Sequence, residues 1–208
     1  MTLANRRTLL LTGFGPFPGV PANASGTIAL DAAERLKSEE PGIAVQLLIL
    51  PALWDTAPGL VAAAIEEHRP AVAIHLGVAR RSRKLTLETR ARNYAVSHLD
   101  ADERLPKHSE LIPGGPREID NTRLARLLQN QLAASGLKVA CAAQASSYLC
   151  NAVYYRSLWQ ERATAHPATS MFLHLPADIG MTSQRPILAD AVSATLILAR
   201  AMLATERQ

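Results

Sequence analysis

The strongest constraint on the fold is an alternation between short apolar runs and segments in which apolar residues recur at helical spacing. The apolar runs predict strands at residues 8–13, 43–50, 71–77, 139–143 and 170–175. Strands that alternate with helices are typical of an α/β three-layer sandwich, a twisted and mostly parallel sheet with helices on both faces. A chain of 208 residues is long enough for one such core. We therefore expect a single domain over residues 1–208.

The intervening segments divide into helices, one extended stretch and one long irregular excursion. Apolar periodicity and helix-ending residues predict helices at 26–37, 56–67, 120–135 and 182–205. Residues 84–92 alternate in polarity and predict an extended segment. Residues 97–117 are rich in charge, proline and glycine, and loops of that length inside a compact domain are often functional.

Composition and charge exclude several classes of protein. The chain is 48% hydrophobic and 19% charged, which excludes wholesale disorder. The formal net charge is +4, and much of the excess lies in residues 80–84. No aromatic-rich basic stripe accompanies this cluster, so a solvated loop or a carboxylate-bearing ligand is favoured and no nucleic-acid partner is expected.

Neither apolar end of the chain predicts a membrane segment. Gly13, Gly15 and Pro16 interrupt the first apolar run well short of a signal sequence. The later run at 189–204 contains charged residues and is shorter than a typical membrane span. We expect a cytoplasmic protein without a membrane partner.

Residues 145–159 place a cysteine at the start of a helix that follows a predicted strand. Ser146 and Ser147 precede this helix and can cap its first free N–H groups. Cys150 then lies in the first turn, where the helix dipole favours a thiolate. A small buried residue that packs the helix onto the sheet is the alternative. Cys141, inside a strand, is predicted to be a packing residue, and the pair does not indicate a disulfide framework.

A histidine and a glutamate complete a candidate catalytic set. His174 lies at the end of the last predicted strand, and it can accept the proton of a thiol at the same edge of the sheet. Glu88 is the one acid in the extended segment, and a carboxylate is well suited to orient an imidazole. His75, also near a strand end, is the competing base. Cysteine and histidine at such positions also coincide by chance, so the spacing alone leaves this set open.

The loop after the first strand contains two phenylalanines, Phe14 and Phe17, among glycines and prolines. A phosphate-binding turn is disfavoured, because the glycine spacing differs and the rings and prolines would obstruct a pyrophosphate. The rings suit an apolar ligand wall. They equally suit a plug in the core, and the sequence alone does not decide between the two.

Four segments in this order resemble the pyroglutamyl-peptidase I family, the pyrrolidone-carboxylate peptidases. They are residues 11–19 with Asn23 and Ser25, residues 85–88, residues 148–155 and residues 172–176. The resemblance extends from the first strand to the last helix. Departures fall at Val78 and Ser146, where the pocket wall and the approach to the oxyanion would be affected.

The resemblance implies a cytoplasmic cysteine exopeptidase that removes an N-terminal pyroglutamyl residue from peptides without metal or cofactor. It implies catalysis by Glu88, Cys150 and His174. It also implies that Phe14 and Phe17 sandwich the lactam ring and that Asn23 lies near the lactam polar groups. Arg104 is the nearest match to a family arginine on the oxyanion side and is expected to be a further substrate-binding residue. Related bacterial enzymes are often tetramers, so a homo-oligomer, tetramer or dimer, is expected. The alternatives are a related α/β cysteine hydrolase acting on another amide or lactam, and a catalytically weak binding homologue.

Overall fold

The computed structural model describes residues 7–18, 20–79, 82–143, 148–164, 168–179 and 186–205. The strands are β1 (Arg7–Phe14), β2 (Ile43–Leu50), β3 (Val72–Ala79), β4 (Leu85–Glu88), β5 (Arg90–Arg92), β6 (Glu118–Asp120), β7 (Val139–Ala142) and β8 (Thr169–Pro176). The helices are α1 (Ala24–Glu39), α2 (Ala57–His68), α3 (Thr122–Ala134), α4 (Leu149–Ala163) and α5 (Leu188–Thr205).

Six strands form the central sheet in the order β2-β1-β3-β8-β4-β7. All neighbouring pairs are parallel except β4 and β8, which are antiparallel. Helices α1, α3 and α5 pack on one face, and α2 and α4 pack on the other. Each face buries its own apolar cluster, so the predicted α/β three-layer sandwich is confirmed.

Local chemistry explains where α1 begins. The Asn23 side chain accepts from the Ser25 backbone N–H, which caps the helix, so α1 starts two residues before the predicted position. At the end of α3, Gly136 adopts a φ of 81°, the left-handed conformation that glycine allows after a helix.

Two predicted elements differ from the structure. The extended segment 84–92 is two strands: β4 joins the central sheet, while β5 pairs with β6 in a separate two-stranded sheet. The predicted helix 182–205 is helical only from Leu188 in its described part, because Pro186 and Ile187 lie outside the helix. The Ile187 N–H donates to Asp190 Oδ2, a bond typical of a helix N-cap, which fits a start at Leu188. Residues 182–185 lie outside the described residues, as do the predicted capping serines Ser146 and Ser147.

Helix α5 is long and apolar enough to span a membrane, with 18 residues and a mean hydropathy of 1.5. The predicted run at 189–204 is therefore not too short to span a membrane once the whole of α5 is counted. Its surroundings explain the composition: 56% of the helix is buried, and it packs against α1, α3 and β3. These are the surroundings of a core helix.

Candidate active site

A row of three residues crosses the sheet where β3, β8 and β4 meet. Gly77 on β3 is the register partner of His174 on β8, and His174 is also the partner of Thr86 on β4. Residues directly opposite one another point to the same face of a sheet, and this face is covered by α4. Glu88, two residues after Thr86 on β4, is therefore a diagonal neighbour of His174.

Glu88 and His174 form a buried pair. His174 Nδ1 lies 2.6 Å from Glu88 Oε1, and each residue is only 2% exposed. Nδ1–H donating to the carboxylate leaves Nε2 as the ring nitrogen that is free for a second partner. The ring of Phe172 lies beside the imidazole, with the two centroids 4.7 Å apart. The imidazole is therefore fixed by a carboxylate on one side and by an aromatic ring along its own strand.

Helix α4 brings Cys150 to this pair. Leu149 is buried and anchors the start of the helix, which puts Cys150 in the first turn as predicted. The absence of a side chain at Gly77 makes room for the thiol, because a Cβ at Gly77 would lie 2.8 Å from Cys150 Sγ. Burial alone would lower the pKa of His174, but interactions with Cys150 and Glu88 outweigh it and raise that pKa to about 10. The arrangement favours a protonated imidazole beside the sulfur.

His75, the competing base, lies on β3 two residues before Gly77, so the two residues point to the same face of the sheet. Its ring nitrogens lie 2.9 Å from Thr12 Oγ1 and 3.0 Å from Ser157 Oγ, both in the core. Burial lowers the pKa of His75 to about 3, so the ring is neutral at physiological pH. Its contacts are those of a structural histidine.

The loop after β1 is held against the start of α1. Phe14, predicted in this loop, is instead the last residue of β1, is only 5% exposed and belongs to the apolar cluster under α2 and α4. Phe17 lies in the loop and is partly buried at the edge of that cluster. Asn23 Nδ2 donates to the Gly15 carbonyl, and its Oδ1 accepts from the backbone and hydroxyl of Ser25. Phe14 therefore packs in the core. One of the two Nδ2 hydrogens of Asn23 is used in the bond to Gly15, and the other is not used in these bonds.

Arg104 lies in a tight, exposed turn of the excursion. Its backbone N–H donates to Asp100 Oδ1, and its carbonyl accepts from the Asp100 N–H. The same turn is attached to the nucleophile side of the protein through Tyr148, whose hydroxyl donates to the Leu99 carbonyl. No contact between Arg104 and the Cys150–His174 pair is described.

Sequence reasoning missed two residues of this site. Gly77 leaves space for the thiol, and the only signal for it was a glycine at a strand end. Asn151, directly after Cys150, is fully buried, and its side chain bonds to the backbone of Arg92 and Tyr94. Within the described residues, no group of three or more His, Cys, Asp or Glu is arranged to hold a metal ion.

Known proteins resemble this chain in sequence and in fold. A family model described as pyroglutamyl peptidase matches residues 7–196. Pyroglutamyl-peptidase 1 of Mus musculus is 30% identical over 173 residues, which cover 82% of this chain and 79% of the relative. Pyrrolidone-carboxylate peptidase of Pyrococcus furiosus is 28% identical over 169 residues, which cover 81% and 80%.

A crystal structure of the Pyrococcus furiosus pyrrolidone carboxyl peptidase matches with a TM-score of 0.81 at 25% identity. The match covers 95% of this chain and 99% of that one. The family model spans the strands and helices that carry the cysteine, histidine and glutamate described above. This chain therefore belongs to the pyroglutamyl peptidase family.

Proposed function

We propose that this protein is a cysteine exopeptidase that hydrolyses the amide bond after an N-terminal pyroglutamyl residue, with Cys150, His174 and Glu88 as its catalytic residues. The observation that carries the assignment is the buried His174 ring, which lies 2.6 Å from Glu88 and interacts with Cys150 at the start of α4. Membership of the family supports the reaction and the substrate class.

The proposed roles follow from the order of contacts. His174 takes the proton of the Cys150 thiol, and the thiolate attacks the scissile carbonyl carbon to give a tetrahedral intermediate. When the C–N bond breaks, His174 gives that proton to the leaving amine and a thioester remains. Water, deprotonated by His174, then attacks the thioester, which releases pyroglutamate and restores the thiol. Glu88 keeps Nε2 turned to the sulfur and stabilises the imidazolium.

Backbone N–H groups in the first turn of α4 are the proposed oxyanion donors, because such groups lack intrahelical partners. Arg104 is proposed to assist on the oxyanion side. The bond from Tyr148 to Leu99 supports this role, since it ties the turn that carries Arg104 to a residue two positions before the nucleophile.

Phe17 and Phe14 are proposed as the apolar walls for the lactam ring, with Asn23 near its amide edge. The ring is uncharged with two apolar faces, so flat hydrophobic walls and few hydrogen bonds suit it. An ordinary N-terminus carries an ammonium group, which such a pocket would leave desolvated and unpaired. Phe17 is the better probe of this pocket, because Phe14 is also part of the core.

The remaining proposals concern the surroundings of the enzyme. Pyroglutamyl peptides are the proposed substrates, and no metal or cofactor takes part in the steps above. We further propose that residues 1–208 act as one domain, that the protein works in the cytoplasm, and that it assembles as a homo-oligomer, dimer or tetramer, without nucleic-acid or membrane partners.

One comparison of substrates tests the proposed function. A fluorogenic pyroglutamyl amide is assayed beside the alanyl and prolyl amides, with wild type, Cys150→Ala, His174→Ala and His75→Ala. We expect cleavage of the pyroglutamyl amide alone, no activity in Cys150→Ala, and a loss of at least ~10²-fold in His174→Ala, the usual scale for a general base. His75→Ala should retain the chemical step when folded. Cleavage of another amide would indicate a different hydrolase, and inactivity on all three would favour a binding homologue.

A second assay addresses the pocket. Phe17→Ala should lower kcat/KM for the pyroglutamyl amide by about 10-fold or more, corresponding to roughly 1–3 kcal/mol of lost apolar contact. The rate at which iodoacetamide alkylates Cys150 should be unchanged, because that small reagent does not need the lactam pocket. If kcat/KM and the alkylation rate of Cys150 both fall, the role of Phe17 is structural.

A further inference from the structure

The side chain of Asn151 joins the nucleophile helix to the backbone of a neighbouring segment. The Arg92 N–H donates to Asn151 Oδ1 at 2.8 Å, and Asn151 Nδ2 donates to the Arg92 carbonyl at 2.9 Å. Nδ2 also donates to the Tyr94 carbonyl at 3.1 Å. The amide exchanges both hydrogen bonds with Arg92, as an adjacent strand would. It is fully buried, so solvent does not compete for these bonds.

The segment held by Asn151 is the one that carries Glu88. Arg92 ends β5, which follows β4 after a single residue, and Glu88 is the last residue of β4. One turn further along α4, the Tyr154 hydroxyl donates to the backbone carbonyl of Glu88 at 3.2 Å. The Asn121 amide in turn donates to that hydroxyl. Helix α4 therefore binds both ends of the segment that runs from Glu88 to Tyr94.

The bonds of Asn151 restrain the first turn of α4. The end of a helix frays more readily than its interior unless other groups hold it. Asn151 lies within this turn and is the next residue after Cys150, so its three bonds restrain the backbone that carries the sulfur.

We propose that Asn151 is a positioning residue, which sets Cys150 against the His174–Glu88 pair by fixing the first turn of α4 to the segment that carries Glu88. It acts through Cys150 and does not itself touch the reacting atoms. Displacements of about 1 Å at reacting groups can cost on the order of 10²-fold in rate, so a loosened first turn should appear in the chemical step. The inference rests on the proposed catalytic roles of the three residues.

Asn93 provides a matched control for the loss of a buried amide. It is also buried, and its side chain also makes three bonds to backbone groups: Nδ2 donates to the carbonyls of Ile112 and Gly115, and Oδ1 accepts from the Ile112 N–H. Asn93 lies in the same segment, between Arg92 and Tyr94, but its side-chain bonds run to Ile112 and Gly115 and none of the three is made to α4. A purely structural role for Asn151 predicts that the two asparagines behave alike when substituted.

The experiment compares Asn151→Ala and Asn151→Ser with Asn93→Ala and Asn93→Ser, at a temperature where thermal unfolding shows each variant to be folded. For each we measure kcat and KM on the pyroglutamyl amide, the rate of Cys150 alkylation by iodoacetamide, and the pH dependence of kcat/KM. Serine retains a hydrogen-bonding group, so it supplies the comparison if an alanine variant does not fold.

We expect the Asn151 variants to lose kcat by about 10-fold or more, with little change in KM, whereas the Asn93 variants keep kcat within about 3-fold. The alkaline limit of activity should move to lower pH only in the Asn151 variants, because separation from Cys150 removes an interaction that raises the His174 pKa. The rate at which iodoacetamide alkylates Cys150 should change in the same variants in which kcat changes.

Two outcomes overturn the inference: a folded Asn151 variant with wild-type kcat and alkylation rate, or equal losses of kcat in the Asn151 and Asn93 variants. A wild-type protein that does not cleave the pyroglutamyl amide would contradict the proposed function instead. The alkylation rates would still report in that case whether Asn151 positions the thiol.

Discussion

Gly77 is a residue whose importance lies in the space it leaves beside His174. A Cβ built at this position lies 2.8 Å from Cys150 Sγ and 2.8 Å from Phe172 Cζ, closer than non-bonded atoms approach. Gly77→Ala should therefore displace the sulfur or tilt the Phe172 ring, with an overpacking cost of roughly 1–3 kcal/mol in the free energy of unfolding. We expect kcat/KM to fall by about 10-fold or more, since small displacements of reacting groups are costly.

The control for this substitution is Gly42→Ala, since a Cβ at Gly42 meets no atom within 4 Å. Urea unfolding and kcat/KM on the pyroglutamyl amide, measured on both variants, separate the steric effect from a general effect of replacing glycine. If folded Gly77→Ala has the kcat/KM of wild type, a methyl group at residue 77 does not displace the thiol.

The two cysteines should differ sharply in reactivity. Cys141 lies on the edge strand β7, and burial raises the pKa of its thiol against a smaller lowering by Arg126. Cys150 lies at the start of α4 beside His174, whose raised pKa favours the protonated imidazole. Iodoacetamide at neutral pH should label Cys150 first, as peptide mass mapping can establish. Cys141→Ala should remain active, and preferential labelling of Cys141 would contradict the assignment of the nucleophile.

Sequence reasoning reached Cys150 and His174 because their side chains carry chemistry and lie at the ends of predicted elements, and it reached Glu88 because that residue is the one acid in the predicted extended segment. It did not reach Gly77 or Asn151. The meaning of Gly77 depends on its register opposite His174, and the meaning of Asn151 depends on which backbone segment lies against α4. The choice between ligand wall and core plug for Phe14 was equally a question of burial, which the loop composition does not determine.

At the scale of elements, β4 shows what periodicity cannot predict. The alternation of apolar and polar residues indicated an extended segment at 84–92, and β4 and β5 are both extended. The pattern does not contain the direction of a strand, however, and β4 is the strand that runs antiparallel to its neighbour β8. Leu87 pairs with Leu173, so the reversal carries Glu88 toward Phe172. A parallel strand in the same register, which the α/β pattern favours, would carry Glu88 toward Pro176 instead.

The irregular excursion predicted at residues 97–117 contains no helix or strand, and hydrogen bonds attach it to the rest of the protein. The Trp54 indole donates to the His98 carbonyl at 2.8 Å, and the Ala101 N–H donates to the Ala52 carbonyl. Trp54→Phe removes the indole bond, so the turn around Arg104 should open more often. Trypsin should then cut after the exposed residues Arg104 and Lys107 several-fold faster than in wild type.

Trp159→Phe is the control for this prediction, because Trp159 lies on α4 and the chain has only two tryptophans. Its cleavage rate in the excursion should match that of wild type, as resolved by mass spectrometry of the early fragments. Equal cleavage of wild type and Trp54→Phe would show that other bonds hold the turn closed.

At the scale of the whole molecule, two of the described histidines lie on one face of the sheet with opposite pKa shifts. His174 has its pKa raised to about 10, so its contribution to stability is present below about pH 6.5 and is lost as the pH rises through about 10. His75 has its pKa lowered to about 3 by burial between the neutral groups of Thr12 and Ser157. His75 therefore contributes to the loss of stability as the pH falls below about 6.5.

The sign of the acid effect follows from proton counting. Below about pH 6.5 the unfolded chain protonates His75, while the folded protein keeps it neutral until about pH 3. Stability should fall as the pH falls through this interval, by roughly 1.5 kcal/mol between pH 6.5 and pH 5. Urea unfolding at the two pH values measures it. His75→Gln keeps hydrogen-bonding groups near Thr12 and Ser157 without titrating, so it should lose most of this decline, whereas the exposed His108→Gln should retain it. An undiminished decline in His75→Gln would assign the acid sensitivity to other groups.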